Sequence, residues 1–178
     1  MIGQETYPQN AARPTKLRRR LTDTLEEIVN VATHGFGLAA SVALLPVLVL
    51  MASRSGDTPI VIGVTIFALT LVGCYAASTM YHSRPPGPRR DLWRRLDQSA
   101  VYLLIAGTYT PFALGALRGP WGWSILVVVW AASIAGILMK VKLRIDRAAM
   151  ETAIYLSMGW MVVVAVRPLL STIGWQGL

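Results

Sequence analysis

Five long apolar runs alternate with short charged segments along this chain of 178 residues. Only 15% of the residues are charged, against about a quarter in a typical soluble domain. The runs lie at about residues 28–52, 59–81, 98–117, 121–139 and 150–170. As a helix, each can cross a hydrocarbon layer of about 30 Å. The pattern predicts an all-α integral membrane protein with five transmembrane helices in a single domain, residues 25–178.

Residues 1–24 form a polar and basic segment before the first apolar run. This segment lacks the apolar core and the small-residue cleavage site of a signal peptide. Thr24 followed by Glu27 is the pattern of a capping box at a helix N-terminus. We therefore predict a basic tail over residues 1–24 and a first helix that begins close to Thr24.

Basic residues are distributed unequally between the two sides of the predicted bundle. Five lie in the N-terminal tail, five in the loop 83–95 and four in the loop 140–147. Arg54, Arg118 and Arg167 lie on the opposite side. Because positively charged loops stay in the cytoplasm, this distribution predicts a cytoplasmic N-terminus.

The formal net charge of +8 also raises nucleic-acid binding as a function. The basic residues lie in short loops between apolar runs, and no basic stripe follows a soluble helix. We therefore predict membrane lipids as partners and no nucleic acid. Cys74 is the single cysteine, so the chain has no internal disulfide and no paired-cysteine metal motif.

The end of the second apolar run carries Ser78 and His82, and Asp97 opens the third run. Residues four apart share one face of a helix, so Ser78 and His82 lie on the same side. The helix–loop–helix connection returns Asp97 to the same end of the bundle. An imidazole in this position can change its charge near neutral pH or bind a metal.

A second polar set, Glu27, Asn30 and His34, forms one stripe near the start of the first helix. Three helices therefore place ionisable or amide groups at one depth. Intramembrane ionisable groups usually face the bundle interior and have a function. Groups so near a helix end also reach interfacial water, and Glu27 as a simple cap is the alternative interpretation.

These residue types allow a zinc site. A catalytic zinc site needs several protein ligands and keeps one position open for water. His82 is a candidate ligand, Asp97 is a second ligand or orients the water, and Ser78 hydrogen-bonds the site. The spacing alone does not decide whether His34 joins His82 and Asp97 in a three-ligand set.

Three strings in this sequence, at residues 27–35, 78–82 and 96–112, resemble the bacterial haemolysin III family, which belongs with the progestin and adipoQ receptors. The resemblance implies seven transmembrane helices, a cytoplasmic N-terminus, a bacterial inner-membrane location and a zinc ion near the cytoplasmic side. It implies that His82 is a zinc ligand, that Asp97 contacts the zinc-bound water and that Ser78 shapes the site. Glu27, Asn30 and His34 match a family motif that does not supply metal ligands.

The sequence departs from the family pattern after Arg167-Pro168. Nothing corresponds to helices six and seven, and the His-x-x-x-His motif that supplies two further zinc ligands is absent. We therefore expect a C-terminally shortened member with an incomplete zinc site. Three functional hypotheses remain open: a zinc-dependent intramembrane hydrolase of lipid amide or ester bonds, a cytolytic or channel-like protein, and a non-catalytic receptor-like or membrane-homeostasis protein.

Overall fold

The computed structural model describes residues 16–144 and 148–173, with side chains described at 21–144, 149–163 and 166. All regular structure in these residues is helical. The helices are α1 (Lys16–Ser53), α2 (Thr58–His82), α3 (Pro88–Leu114), α4 (Pro120–Ile137) and α5 (Ala148–Ile173), and a π-helix (Leu138–Lys142) follows α4 directly. The predicted all-α fold with five helices is confirmed.

The first helix begins earlier than its capping box predicts. α1 already includes Lys16, so Thr24 lies inside the helix and the predicted start near Thr24 is wrong. The residues between Lys16 and Ile28 contain no proline or glycine and include several good helix formers. Nothing in this stretch therefore interrupts a helix that the apolar run stabilises downstream.

The third helix also begins earlier than its apolar run. The loop breaks at Pro85-Pro86-Gly87, as the sequence predicts, but α3 starts immediately afterwards at Pro88. Proline suits the first helical turn because the backbone N–H groups there have no intrahelical partner. With 27 residues, α3 is about 40 Å long and exceeds a hydrocarbon layer of about 30 Å. Its basic N-terminal part therefore extends beyond the apolar layer.

Three of the helical segments described are long and apolar enough to cross a membrane. They are Leu21–Ser53, Thr58–His82 and Pro120–Lys142, the last including the π-helix. The described part of α5 contributes a shorter apolar stretch, Ala149–Val163. α3 is more polar and packs between α2 and α4. The protein is therefore an integral membrane protein with several apolar helices.

The helices pack largely in chain order, α1 on α2, α2 on α3 and α3 on α4, with α5 against α3 and α4. The buried face of α3 consists mostly of small residues, which allow close approach of neighbouring helices. α2 and α3 approach each other closely at Gly63, where an added Cβ atom would be 2.7 Å from the Cα atom of Pro111. This contact helps to set the spacing between the helix that carries His82 and the helix that carries Asp97.

Candidate functional site at the polar end of the bundle

Glu27 of α1 and His82 of α2 meet at one end of the bundle, which we call the polar end. His82 Nδ1 lies 2.7 Å from Glu27 Oε2, and 16% of the His82 side chain is exposed. These residues are 55 positions apart in the chain, and only the packing of α1 on α2 joins them. The structure thus brings together two residues that the sequence placed at one depth.

The geometry of this contact determines which His82 nitrogen is available. A carboxylate only accepts hydrogen bonds, so Nδ1 carries the proton and donates it to Glu27. In the neutral ring, the lone pair then lies on Nε2. Metal-binding histidines are commonly held in this way by a carboxylate on the other ring nitrogen. Glu27 lies inside α1 and is not a helix cap, and its carboxylate orients the His82 ring.

His34 packs beside this pair. Its ring is stacked on that of His82, with centroids 5.5 Å apart and planes inclined by 2°, and it also contacts Tyr75 at a centroid distance of 6.2 Å. The stacking places a second imidazole against the candidate ligand. The stripe predicted for α1 thus contributes both Glu27 and His34 to the polar end.

Asp97 reaches the same region from α3. Ser78, which is 5% exposed, lies near enough to interact with the Asp97 carboxylate. Asp97 also lies within electrostatic range of His82 and His34. Ser78, His82 and Asp97 therefore belong to one cluster. The catalytic and ligand roles expected for them stay predictions.

Asn30 is the predicted site residue that the structure does not bring into the cluster. Within the described part of the chain, it makes no hydrogen bond to Glu27, His82 or Asp97. It lines a groove of about 500 Å³ on α1 with Thr22, Leu25, Glu26 and Val29.

Arg90 is a member of the cluster that the sequence analysis missed. Its Nη2 atom donates to Glu27 Oε1, and its guanidinium lies over the Tyr81 ring, 5.0 Å from the centroid. Glu27 therefore bridges Arg90 and His82 with its two oxygens. The signal was the spacing of Arg90 and Asp97, which is i, i+7 and places them on one face once α3 is known to begin at Pro88.

A second cluster of polar side chains lies between α3, α5 and the π-helix. Lys140 Nζ is 2.5 Å from Glu151 Oε1, and these residues are 2% and 8% exposed. The Tyr155 hydroxyl donates to the carbonyl oxygen of Gln98 at 2.8 Å, and its ring contacts Tyr102. Gln98 follows Asp97 directly, so α5 is hydrogen-bonded to the segment of α3 that carries the candidate site.

The polar cluster fits a metal only in part. Among the residues that the structure describes, no three His, Cys, Asp or Glu side chains are arranged as ligands of one metal ion. His82 offers one oriented imidazole, and Asp97 offers a half-buried acceptor in the same cluster. The described residues thus supply one candidate ligand and neighbouring polar groups, and a complete set of zinc ligands is not found among them.

Apolar helices of membrane-spanning length, with ionisable groups gathered at one end, define a polytopic α-helical membrane protein. Within that class, the chain belongs to the haemolysin-III-related family, whose model matches residues 22–177. The family resemblance carried by the three sequence strings is confirmed.

Two relatives from Bacillus resemble the chain over most of its length. Hemolysin-3 of Bacillus cereus is 38% identical over 162 residues, which cover 91% of this chain and 74% of the relative. The Hemolysin-3 homolog of Bacillus subtilis (strain 168) is 38% identical over 152 residues, covering 85% of this chain and 71% of the relative. No solved structure matches the chain.

Proposed function

We propose that this haemolysin-III-related protein contributes, at its polar end, to a zinc-dependent intramembrane hydrolytic site for lipid amide or ester bonds. The observation that carries the proposal is the contact between His82 Nδ1 and Glu27, beside the Ser78–Asp97 pair. The contact with Glu27 would orient His82 as an imidazole ligand near Asp97, whose carboxylate can accept a proton. Bound zinc would polarise the substrate carbonyl and make water a better nucleophile.

Each residue of the cluster has a distinct task in this proposal. His82 Nε2 would hold the metal, and Glu27 keeps the proton on Nδ1. Asp97 would accept a proton from a water molecule at the site, and the hydroxyl of Ser78 would hold the orientation of its carboxylate. The other protein ligands would come from outside the described residues.

The proposal includes a location and an orientation. Fourteen basic residues lie in the tail and the two loops on the side of the polar end, against three on the opposite side. This asymmetry supports a cytoplasmic N-terminus in the bacterial inner membrane. The polar end then faces the cytoplasmic leaflet, where membrane lipids supply the substrate.

His82→Ala and Asp97→Ala should each abolish hydrolysis of a fluorogenic lipid amide by the purified chain, and a chelator should do the same. Glu27→Gln should weaken zinc binding about 10- to 100-fold, because it removes the acceptor that orients the His82 ring. Elemental analysis measures the zinc content, and a zinc competition titration measures the zinc affinity. Glu26→Gln, on the groove side of α1, is the matched control and should change neither quantity. Hydrolysis that survives both alanine variants and the chelator would rule out the metal mechanism.

Arg90→Gln should weaken zinc binding about tenfold, because Glu27 loses the partner that holds its second oxygen. The same variant should reduce the fraction of His82 protonated on Nδ1 in nitrogen-15 NMR spectra, a readout that needs no metal. Arg54→Gln removes one positive charge at the opposite end of the bundle and serves as the control. An unchanged His82 tautomer in Arg90→Gln would show that Arg90 does not position the site.

The names of the Bacillus relatives favour cytolysis as the second candidate function. Purified protein that lyses cells by forming pores should give conductance steps in planar bilayers. Silent bilayers combined with intact lipid hydrolysis would reject this function. A protein inactive in both assays would favour the receptor-like or membrane-homeostasis hypothesis.

A further inference from the structure

The loop between α2 and α3 borders a cavity of about 460 Å³. Its lining consists of Arg84, Pro85, Pro86, Gly87, Pro88 and Arg89. Neither arginine forms an ion pair within the part of the chain that the structure describes. The one acceptor that Arg84 Nη2 meets there is the Met80 sulfur at 3.8 Å, which is a weak acceptor. Two guanidinium groups thus line one cavity without a carboxylate partner.

The cavity wall is rigid. Three prolines restrict the backbone, and Gly87 has φ of 150°, a conformation that residues with a side chain rarely adopt. The Arg84 guanidinium lies over the Trp93 ring, 5.6 Å from its centroid. The backbone between the two arginines is therefore restrained, which favours binding of a ligand without a large loss of loop entropy.

The length and side chains of α3 favour a position of the cavity at the depth of the lipid headgroups. α3 is about 10 Å longer than the hydrocarbon layer, and the cavity borders its first residue, Pro88. Leu92 is 52% exposed and Trp93 is half-buried, so the first turns of α3 combine apolar and basic side chains. Such a segment is typical of a helix in the membrane interface.

The charge around the cavity is strongly positive. Residues 84–95 contain five arginines and one acidic residue, Asp91, while Glu27 neutralises Arg90 from outside the segment. An anionic ligand is therefore attracted to the start of α3. The anion available at this depth is the phosphate of a phospholipid.

We propose that Arg84 and Arg89 bind the phosphate of an anionic phospholipid headgroup in this cavity. Guanidinium groups bind phosphate oxygens through paired, charge-assisted hydrogen bonds. The volume of about 460 Å³ accommodates a phosphate together with a small alcohol such as glycerol. The proposed binding uses no residue of the His82–Asp97 cluster and does not depend on hydrolysis.

Native mass spectrometry of the purified chain in detergent tests the site with phosphatidylglycerol and phosphatidylcholine as probes. The chain should bind phosphatidylglycerol more tightly. Arg84→Gln and Arg89→Gln should each weaken that binding about fivefold, the contribution of one basic residue at an anionic surface, with the two effects combining in the double variant. Phosphatidylcholine binding should stay unchanged. Arg54→Gln, the same charge change at the opposite end, should leave both lipids unaffected.

Equal binding of the two lipids, or equal losses in Arg54→Gln and the loop variants, would overturn the proposal. Displacement of phosphatidylglycerol by millimolar inorganic phosphate would show a site for free phosphate and overturn the lipid assignment. Arg89 is exposed, so Arg89→Gln is expected to fold normally and decides the question even where Arg84→Gln does not.

Discussion

Glu151→Ala is expected to lower the free energy of unfolding by about 3–5 kcal/mol. Glu151 meets Lys140 inside the bundle, with Nζ and Oε1 2.5 Å apart, and Lys140 is 2% exposed. Removal of the carboxylate leaves the ammonium group buried without this counter-charge. The cost is large because the surrounding helices exclude the water that would otherwise solvate it.

A second variant separates the charge effect from lost packing. Lys140→Met combined with Glu151→Leu removes both charges and keeps apolar volume, so it should recover most of the lost stability. Glu26→Ala removes an exposed carboxylate and should cost little. Denaturant unfolding in detergent, followed by tryptophan fluorescence, measures all three. A Glu151→Ala protein as stable as Glu26→Ala would contradict the ion pair's role.

Gly63→Ala should destabilise the protein by about 1–3 kcal/mol, because the new methyl group overpacks the contact between α2 and α3. An added Cβ atom would lie 2.7 Å from the Cα atom and 3.0 Å from the nitrogen atom of Pro111. Both are backbone atoms and cannot rotate away. The helices must separate, which also moves Ser78 and His82 relative to Asp97.

Gly73 offers a matched control on the same helix. Nothing lies within 4 Å of a Cβ atom at this position, so Gly73→Ala should raise stability by up to about 1 kcal/mol through its better helix propensity. A lower melting temperature for Gly63→Ala and a higher one for Gly73→Ala would confirm the close contact. A stabilised Gly63→Ala protein would mean that α2 and α3 are not in close contact there.

The predictions that succeeded rest on patterns spread over many residues. The uneven charge distribution sufficed for an all-α membrane protein, since long uncharged runs have few alternatives to transmembrane helices. Predictions that rest on single residues were less accurate. Thr24 has the capping pattern, but α1 continues past it to Lys16, because local capping energies are small beside uninterrupted helix propensity.

At the candidate site, too, some relationships could be predicted from the sequence and others could not. Spacing within one helix placed Ser78 with His82, and Glu27 with His34, because helical periodicity is a local property. Spacing could not show that, among the described residues, Asn30 makes no hydrogen bond to Glu27, His82 or Asp97, or that Arg90 joins the cluster. Those outcomes depend on how α1, α2 and α3 rotate and approach one another.

By itself, the sequence determined the class of protein, the number of helices in the described chain and the end of the bundle where ionisable groups collect. These follow from the low polarity of the runs and from the periodicity of the helix. Only the tertiary structure decided that Glu27 joins His82 and Arg90, that Lys140 pairs with Glu151 and that α2 meets α3 at Gly63. Contacts between segments far apart in sequence depend on the packing of side chains across helix interfaces, which no local pattern encodes.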